Sequence, residues 1–354
     1  MTRDPGLRVL YEVRDYPIFQ NRMYDTAAEA SACPTGDIQL VQDPETGVVH
    51  NQAFVAELMD YDKRYQNEQA VSAVFRDHLE AVAAIIGATM GNGPLVEVGC
   101  GKGYFLEMLL ARGVDITGFD PAYEGNAPRI LRQYYTPESE FTAEGTILRH
   151  VLEHVERPFE FLQGILESNA GGGKIYIEVP CLDWIAQHDA VFDIFYEHVN
   201  YFRVVDFQRL FGRIEESGHL FGGQYLYVVA DLASLTKPDV PADDQIDLSI
   251  DASRILRVDE PGDGRRTAIW GGASKGAIFA LLRQRAGRPV DMVIDVNPAK
   301  QGKYLPGTGL EVLAPATALP LLPAGATIIV MNSNYLSEVK RMAGNAYRCI
   351  GADQ

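Results

Sequence analysis

The chain has 354 residues, of which 47% are hydrophobic and 22% are charged, a composition ordinary for a globular protein of two or three domains. Its formal net charge of −17 argues against binding the polyanionic backbone of DNA or RNA. No apolar run approaches the roughly 18 residues that span a bilayer, and the N-terminus has no signal-peptide core. We therefore predict a cytoplasmic protein without a nucleic-acid or membrane partner.

Residues 1–70 are predicted to form a small N-terminal module. Within it, residues 37–41 and 48–50 have the pattern of two hairpin strands around the turn-rich segment 44–47. A helix with one apolar side is predicted to follow, through Val71, Val74, Phe75, Leu79, Val82 and Ile85. This helix is expected to pack beside the first strand of the next domain.

The most informative segment is a glycine turn between a predicted strand and a predicted helix. The strand covers residues 95–98, and Gly99, Gly101 and Gly103 follow it, so the backbone can turn tightly and approach a ligand without Cβ clashes. Asp120 ends the next predicted strand about 20 residues on, where a carboxylate can accept both hydroxyls of a ribose. This order of elements predicts a nucleotide site in a doubly wound α/β domain.

The spacing of these glycines indicates which nucleotide is bound. A dinucleotide site needs its third glycine three residues after the second, and that position is Tyr104. Gly-x-Gly-x-Gly instead resembles the class I S-adenosyl-L-methionine (SAM) methyltransferases, where no pyrophosphate has to rest on the helix N-terminus. A glycine turn without any ligand remains an alternative.

The alternation of strands and helices continues through residues 71–235, which we assign to this α/β domain. The segment 236–244 is a predicted linker because of its proline and charge content. A second β-α-β unit follows, with a glycine turn at 271–276 and a second strand that ends at Asp295. Residues 236–354 are therefore predicted to form a C-terminal Rossmann-like domain.

Five segments together carry a family resemblance. They are the turn at Gly99, His150-Val-Leu-Glu-His154, Phe195-Tyr-Glu-His-Val-Asn-Tyr-Phe202, the turn at 271–276, and Asp295-Val-Asn-Pro-Ala-Lys-Gln-Gly-Lys-Tyr-Leu-Pro-Gly307. They resemble the SAM-dependent sugar C-methyltransferases that act on nucleotide-linked keto-deoxysugars. The resemblance implies a transferase of deoxysugar biosynthesis with SAM as its cofactor. It also implies a central class I methyltransferase sheet between a small N-terminal module and a C-terminal Rossmann-like domain.

The chain departs from this family at two places. Family members hold zinc in the N-terminal module with two Cys-x-x-Cys pairs, whereas this region offers Cys33 with His50 as a second ligand. Two ligands cannot close a tetrahedral site, so we predict no metal and a module held by packing. Family members also place a tyrosine two residues before the catalytic glutamate, where this chain has Phe195, with Tyr196 next to Glu197. A substrate other than the usual keto-sugar becomes more plausible.

Methylation of a carbon beside a carbonyl requires removal of a proton and stabilisation of the enolate, and histidine suits the proton step at neutral pH. His198 is the candidate base. The alternative is a loop histidine that makes only a structural hydrogen bond, which the same sequence would also fit. With what the resemblance implies, the predicted catalytic residues are His198, Glu197, His154 and Tyr196. The predicted cofactor-binding residues are Glu97, Gly99, Gly101, Gly103, Asp120 and Tyr65. The predicted substrate-binding residues are Tyr61, Asn200, Tyr201 and Lys275.

Three other functions are compatible with parts of the sequence. Methylation of oxygen or nitrogen in another small molecule uses the same kind of base. An NAD-dependent oxidoreductase would use the C-terminal β-α-β unit, but its turn at 271–276 lacks the Gly-x-Gly-x-x-Gly spacing. A non-catalytic scaffold with a SAM fold would not need the intact glycine turn, Asp120 and the Glu197-His198 pair together.

Overall fold

The computed structural model describes residues 6–60, 64, 71–139, 141–241, 243–256, 258 and 266–354. In chain order, the described strands are β1 (Val9–Pro17), β2 (Thr35–Gln42), β3 (Val49–Asn51), β4 (Leu95–Val98), β5 (Ile116–Phe119), β6 (Ile130–Leu131), β7 (Gly145–Arg149), β8 (Lys174–Pro180), β9 (Asn200–Tyr201), β10 (Ile214–Leu220), β11 (Tyr225–Asp231), β12 (Thr267–Trp270), β13 (Met292–Ile294), β14 (Val312–Leu313), β15 (Thr327–Val330) and β16 (Arg348–Gly351).

The described α-helices connect and flank these strands. They are α1 (Ala27–Ser31), α2 (Ala73–Thr89), α3 (Tyr104–Ala111), α4 (Pro158–Ser168), α5 (Leu182–Gln187), α6 (Val204–Leu210), α7 (Lys275–Arg285), α8 (Pro315–Ala318) and α9 (Leu336–Ala343). Within the described ranges no helix is both long enough and apolar enough to cross a membrane.

The N-terminal sheet has the strand order β1-β2-β3-β9. The predicted hairpin is confirmed, because β2 and β3 pair antiparallel with Val41 opposite His50. The fourth strand comes from far along the chain, where Asn200 pairs opposite His50. The segment that carries the Glu197-His198 pair is therefore anchored on the N-terminal sheet, which the assignment of residues 71–235 to one domain did not anticipate.

The central sheet has the order β10-β11-β8-β7-β4-β5-β6, and the five strands from β8 to β6 are parallel. All four residues of β4 are buried, as expected for a parallel strand covered by helices on both faces. The antiparallel pair β10 and β11 closes one edge. This is the doubly wound α/β arrangement that the glycine turn predicts.

The C-terminal sheet is entirely parallel, with the order β14-β13-β12-β15-β16. Its strand β12 leads through the glycine turn into α7 and back to β13, so the predicted second β-α-β unit is confirmed. The strands β12, β13 and β15 are buried throughout. Their apolar side chains form much of the hydrophobic core of the C-terminal domain.

The helix prediction was wrong in detail at its start, and the predicted linker makes contacts that its composition did not indicate. Val71 precedes α2 and is 43% exposed, because the Ser72 hydroxyl accepts the Val74 N–H and caps the helix there. The predicted linker at 236–244 is not free, since Asp244 pairs with Arg209 at 2.9 Å and accepts a hydrogen bond from Gln42 at 3.0 Å. Composition identified an irregular segment, but its carboxylate fastens it to α6 and to the N-terminal sheet.

Candidate active site

The glycine turn lies between β4 and α3 at the carboxyl edge of the central sheet. All three of its glycines have φ in the left-handed region, at 72° for Gly99, 55° for Gly101 and 82° for Gly103. A Cβ on Gly99 would lie 2.5 Å from a methyl carbon of Val151, whereas no atom lies within 4 Å of the position of a Cβ on Gly101. The turn is thus packed at its base and open at its tip, where a ligand can approach the backbone.

Asp120 follows β5 and is held against this tip. Its Oδ2 accepts the Gly101 N–H at 2.8 Å, and its Oδ1 accepts the Ala122 N–H at 2.8 Å. Each carboxylate oxygen keeps a further lone pair, so the group remains able to accept ligand hydroxyls. The spacing of turn and acid predicted from the sequence therefore brings both groups together.

Glu97 lies in β4 below the turn and is only 3% exposed. Burial raises the pKa of its carboxyl to about 7, with the charge of Asp120 adding to the effect and that of Arg149 opposing it. Its Oε2 has no hydrogen-bond partner among the described residues. An acceptor left unsatisfied beneath an open glycine turn suits a ligand with N–H donors, and SAM carries an amino group. Glu97, Gly101 and Asp120 therefore fit the cofactor that the sequence implies.

The two candidate histidines lie side by side. The rings of His154 and His198 are 4.9 Å apart between centroids and 81° apart in plane. His154 Nδ1 donates to the carbonyl oxygen of Glu197 at 2.8 Å, so the lone pair of a neutral His154 is on Nε2. A second bond, from Val199 N to the carbonyl oxygen of Glu153 at 2.7 Å, ties the same two segments together. Distant parts of the sequence thus converge on one histidine pair.

His198 is buried and electrically neutral at physiological pH. Burial, and then the nearby His154, His150 and Lys275, hold the pKa of His198 well below its usual range. Its Nδ1 is buried without a hydrogen-bond partner among the described residues. A neutral imidazole with an uncommitted ring nitrogen can accept a proton or bind an electrophile.

Behind the histidine pair lies a buried network of charges. His150, whose φ is 53°, contacts Glu153 Oε1 at 3.2 Å and Glu178 Oε1 at 3.1 Å. Although burial opposes it, these two carboxylates raise the pKa of His150 to about 9. Glu178 also contacts Arg149 at 3.4 Å and His78 at 3.2 Å. Two groups that are cationic at neutral pH, Arg149 and His150, therefore balance the carboxylates of Glu153 and Glu178, as buried charges require.

The segment 193–202, which carries the predicted catalytic pair Glu197-His198, is referred to as the catalytic segment. Three of its residues do not have the places that the sequence suggested. Tyr196 is buried against the N-terminal sheet, and its hydroxyl accepts the Val55 N–H at 2.9 Å. Its ring is so close to Gly36 that a Cβ there would lie 2.2 Å from it. The Asn200 amide donates to the Val155 carbonyl, and the Tyr201 hydroxyl bonds both backbone groups of Phe195 at 2.9 and 3.0 Å. These side chains hold the segment in shape rather than extend toward a substrate.

Lys275 connects the C-terminal domain to the catalytic segment. Its Nζ lies 2.8 Å from Asp193 Oδ2 and 3.0 Å from Gln224 Oε1, and 5.0 Å from the centre of the Trp184 ring. The lysine predicted to bind a substrate phosphate is thus already paired with a carboxylate. Tyr61 and Tyr65, predicted to close over the ligands, lie outside the described residues.

Sequence reasoning missed the residues of the charge network. Arg149 and Glu178 lie opposite each other in the parallel pair β7 and β8, and Glu153 precedes His154. The available signal was a charged residue next to the apolar run of each strand, Arg149 at the end of β7 and Glu178 within β8. Such residues are buried only when they are paired.

A family model described as a methyltransferase domain matches residues 65–215, and one described as a C-methyltransferase C-terminal domain matches residues 253–348. The chain belongs to the SAM-dependent C-methyltransferases. It is 24% identical over 294 residues to the C-methyltransferase NovU of Streptomyces niveus, an alignment that covers 72% of this chain and 69% of that protein. The predicted family, its methyltransferase activity and its SAM cofactor are thereby confirmed.

The solved structures to which the chain is similar include two archaeal proteins. A protein of Pyrococcus horikoshii OT3 is 14% identical over 51% of this chain and 100% of its own, with a TM-score of 0.37. A SAM-dependent methyltransferase of Archaeoglobus fulgidus is 18% identical over 45% of this chain and 100% of its own, with a TM-score of 0.31. Each of these alignments covers less of this chain than the two family models cover together.

Proposed function

We propose that this C-methyltransferase methylates the carbon next to a carbonyl in a nucleotide-linked keto-sugar. The observation that carries the proposal is the pair of His154 with the neutral His198, at the same edge of the central sheet as the turn at Gly101. A carbon acid needs a proton acceptor beside the methyl donor, and a neutral imidazole is suited to that task. Small-molecule methylation also agrees with the strongly acidic charge of the chain, which disfavours nucleic-acid substrates.

Cofactor binding, proton transfer and substrate positioning are each assigned to particular residues of the chain. Glu97, Gly101 and Asp120 would hold SAM, which when bound supplies a methyl group on a positively charged sulfur. His198 takes the proton from the substrate carbon, and the electrons of the broken C–H bond form the enolate. The deprotonated carbon would then take up the methyl group that bound SAM supplies, with the enolate electrons forming the new C–C bond and the carbon–sulfur electron pair remaining on sulfur. His154, whose ring centroid lies 4.9 Å from that of His198, can accept a hydrogen bond from a substrate hydroxyl at Nε2 and so help to position the substrate.

The nucleotide part of the substrate is assigned to the cavity at the start of α7. This cavity is lined by both apolar and polar side chains, among them Trp270, Ser274, Lys275, Asp295, Tyr335 and Met342. An apolar wall suits a base, and a lysine beside a glycine turn suits a phosphate. Since Lys275 also contacts Asp193 in the catalytic segment, the cavity and the histidine pair share one side chain.

Replacement of His198 tests the proposal. The His198→Ala variant is expected to lower methyl transfer from labelled SAM by about 100-fold or more, because general-base catalysis contributes roughly 10²–10⁴. The acceptors are a panel of nucleotide-linked 4-keto-sugars. Affinity for S-adenosylhomocysteine, measured by calorimetry, should change by less than about twofold.

His219→Ala is the matched control, since His219 is an exposed histidine of β10 on the far edge of the sheet. Near-normal turnover in His198→Ala would contradict the role of His198. Transfer from the wild-type enzyme to none of the keto-sugars would contradict the substrate class.

A further inference from the structure

Glu153, His154 and His198 form a cluster whose composition is that of a metal site. Within the described ranges they are the one group of three metal-capable side chains whose ligand atoms all lie within 4.8 Å of one another. Two imidazoles and one carboxylate are a donor set that suits divalent transition metals. Mg²⁺ and Ca²⁺ instead favour sites made of oxygen ligands. The cluster is distinct from Cys33 and His50, which the sequence offers as zinc ligands but which are too few to close a tetrahedral site.

The hydrogen bonds around the cluster orient its ligands. A histidine that binds metal through one ring nitrogen usually donates the other N–H to a carbonyl or carboxylate, which fixes the tautomer. His154 does this, with Nδ1 donating to the Glu197 carbonyl at 2.8 Å and Nε2 left as the ligand atom. Glu153 is fixed in a similar way, because its Oε1 accepts from His150 at 3.2 Å.

The cluster also contains buried polar atoms that nothing in the described structure satisfies. Glu153 is 1% exposed and its Oε2 has no hydrogen-bond partner, and the same is true of Nδ1 of His198, which is 9% exposed. An unpaired buried acceptor costs roughly 1–3 kcal/mol, so two of them in one place point to an absent ligand. A cation satisfies acceptors of this kind, whereas another acceptor does not.

The charges facing the cluster allow for a cation. The positive groups nearby are His150, with Arg149 behind it, and Lys275, each of which already contacts a carboxylate. The carboxylate of Glu197 lies on the same segment as His198 and is also buried. A divalent ion bound here would therefore not be repelled by uncompensated positive charge.

We propose that Glu153, His154 and His198 bind one divalent transition-metal ion per chain. Its part in the reaction rests on the proposed function: the ion accepts the carbonyl oxygen of the substrate and stabilises the negative charge of the enolate. With the ion bound, His198 would be a ligand, and a water on the ion that has released one proton to solvent would take the substrate proton in place of His198. In the ion-free enzyme His198 accepts the proton itself.

The test measures binding without substrate. Full-length enzyme freed of metal with a chelator is titrated with Mn²⁺, and the free ion is followed by electron paramagnetic resonance. One saturable ion per chain is expected. In Glu153→Gln and in His154→Ala the dissociation constant should rise by at least about tenfold, while Cys33→Ser and His219→Ala should bind as the wild type does. Unchanged affinity for S-adenosylhomocysteine shows that each variant is folded.

A second measurement needs no variant. Wild-type enzyme loaded with Co²⁺ should show the visible absorption of an ion with nitrogen and oxygen ligands, and Zn²⁺ should displace it. The proposal is overturned if no saturable binding is found, if binding survives in both cluster variants, or if Cys33→Ser abolishes it. Ion binding without methyl transfer to any keto-sugar would contradict the proposed function alone, and methyl transfer without ion binding would contradict this inference alone.

Discussion

The molecule contains two glycine turns with the same hydrogen bonds and different surroundings. In the central domain, Asp120 accepts Gly101 N at 2.8 Å and the N–H two residues after itself at 2.8 Å. In the C-terminal domain, Asp295 accepts Gly272 N at 2.7 Å and Asn297 N at 2.8 Å. Each acid follows the second strand of a β-α-β unit. The backbone arrangement that marks a nucleotide site therefore occurs twice.

What packs on the two turns differs. No atom lies within 4 Å of a Cβ placed on Gly101, whereas a Cβ on Gly272 would lie 2.7 Å from a methyl carbon of Val312. Asp295 is 6% exposed and also lies 3.4 Å from Lys300 Nζ, while Asp120 is half-buried. The first turn is open at Gly101 and the second is closed at Gly272, so a ligand in the cavity beside the second turn contacts its side chains and not the backbone of Gly272. Glycine spacing predicts the shape of a turn, but neighbouring side chains decide whether a ligand reaches it.

Removal of each acid is the most direct test of this comparison. In Asp120→Ala we expect the affinity for S-adenosylhomocysteine to fall by about 100-fold, because hydrogen bonds to a charged group are worth roughly 1.5–3 kcal/mol each. In Asp295→Ala the affinity should change by less than about threefold. Calorimetric titration measures both. A large loss in Asp295→Ala with little loss in Asp120→Ala would reverse the assignment of the open and closed turns.

The closed turn should respond to added volume through stability. A Cβ on Gly276, in the first turn of α7, would lie 1.8 Å from the carbonyl oxygen of Gly271, so backbone must move. We expect Gly276→Ala to lower the free energy of unfolding by about 3 kcal/mol. Urea unfolding followed by circular dichroism measures the change. Gly113→Ala is the comparison for a surface turn, since a Cβ there meets no atom within 4 Å and the change adds only the strain of its φ of 82°.

The open turn is also expected to make stability depend on pH. Because burial raises the pKa of Glu97 to about 7, the folded protein favours its protonated form. The stability this group contributes is present below the usual glutamate pKa of about 4.3 and is lost as the pH rises through 7. Between pH 5 and pH 8 we expect the wild type to lose about 2 kcal/mol relative to Glu97→Gln. An equal pH dependence in both proteins would show that Glu97 ionises as freely in the fold as in the unfolded chain.

The sequence predicted the backbone better than the contacts of its side chains. Gly101 and Asp120 were placed correctly because strand, turn and acid follow each other locally, and their hydrogen bond closes within one β-α-β unit. The position of Tyr196 was not predictable in the same way. It depends on the pairing of β3 with β9, which joins residues about 150 positions apart and which no local pattern records.

The buried charges were missed for a related reason. Arg149 and Glu178 are adjacent only because β7 and β8 pair in one register, and the sequence alone does not specify that register. His154 and His198 were both proposed as polar active-site residues, but Glu153 between His150 and His154 was not singled out. Its buried Oε2 becomes informative only when its neighbours in space are known.

The smallest expected effect concerns Tyr196, a residue of the catalytic segment that is closed off by packing, as the second turn is. Its hydroxyl accepts the Val55 N–H at 2.9 Å, so Tyr196→Phe should lower the free energy of unfolding by about 1 kcal/mol. Since the hydroxyl lies on the side of the N-terminal sheet, kcat/KM for methyl transfer should stay within about threefold. Urea unfolding and a labelled-SAM assay on the same preparation measure the two quantities. A loss of about 100-fold in kcat/KM with unchanged stability would instead return Tyr196 to the catalytic role that its place beside Glu197 suggested.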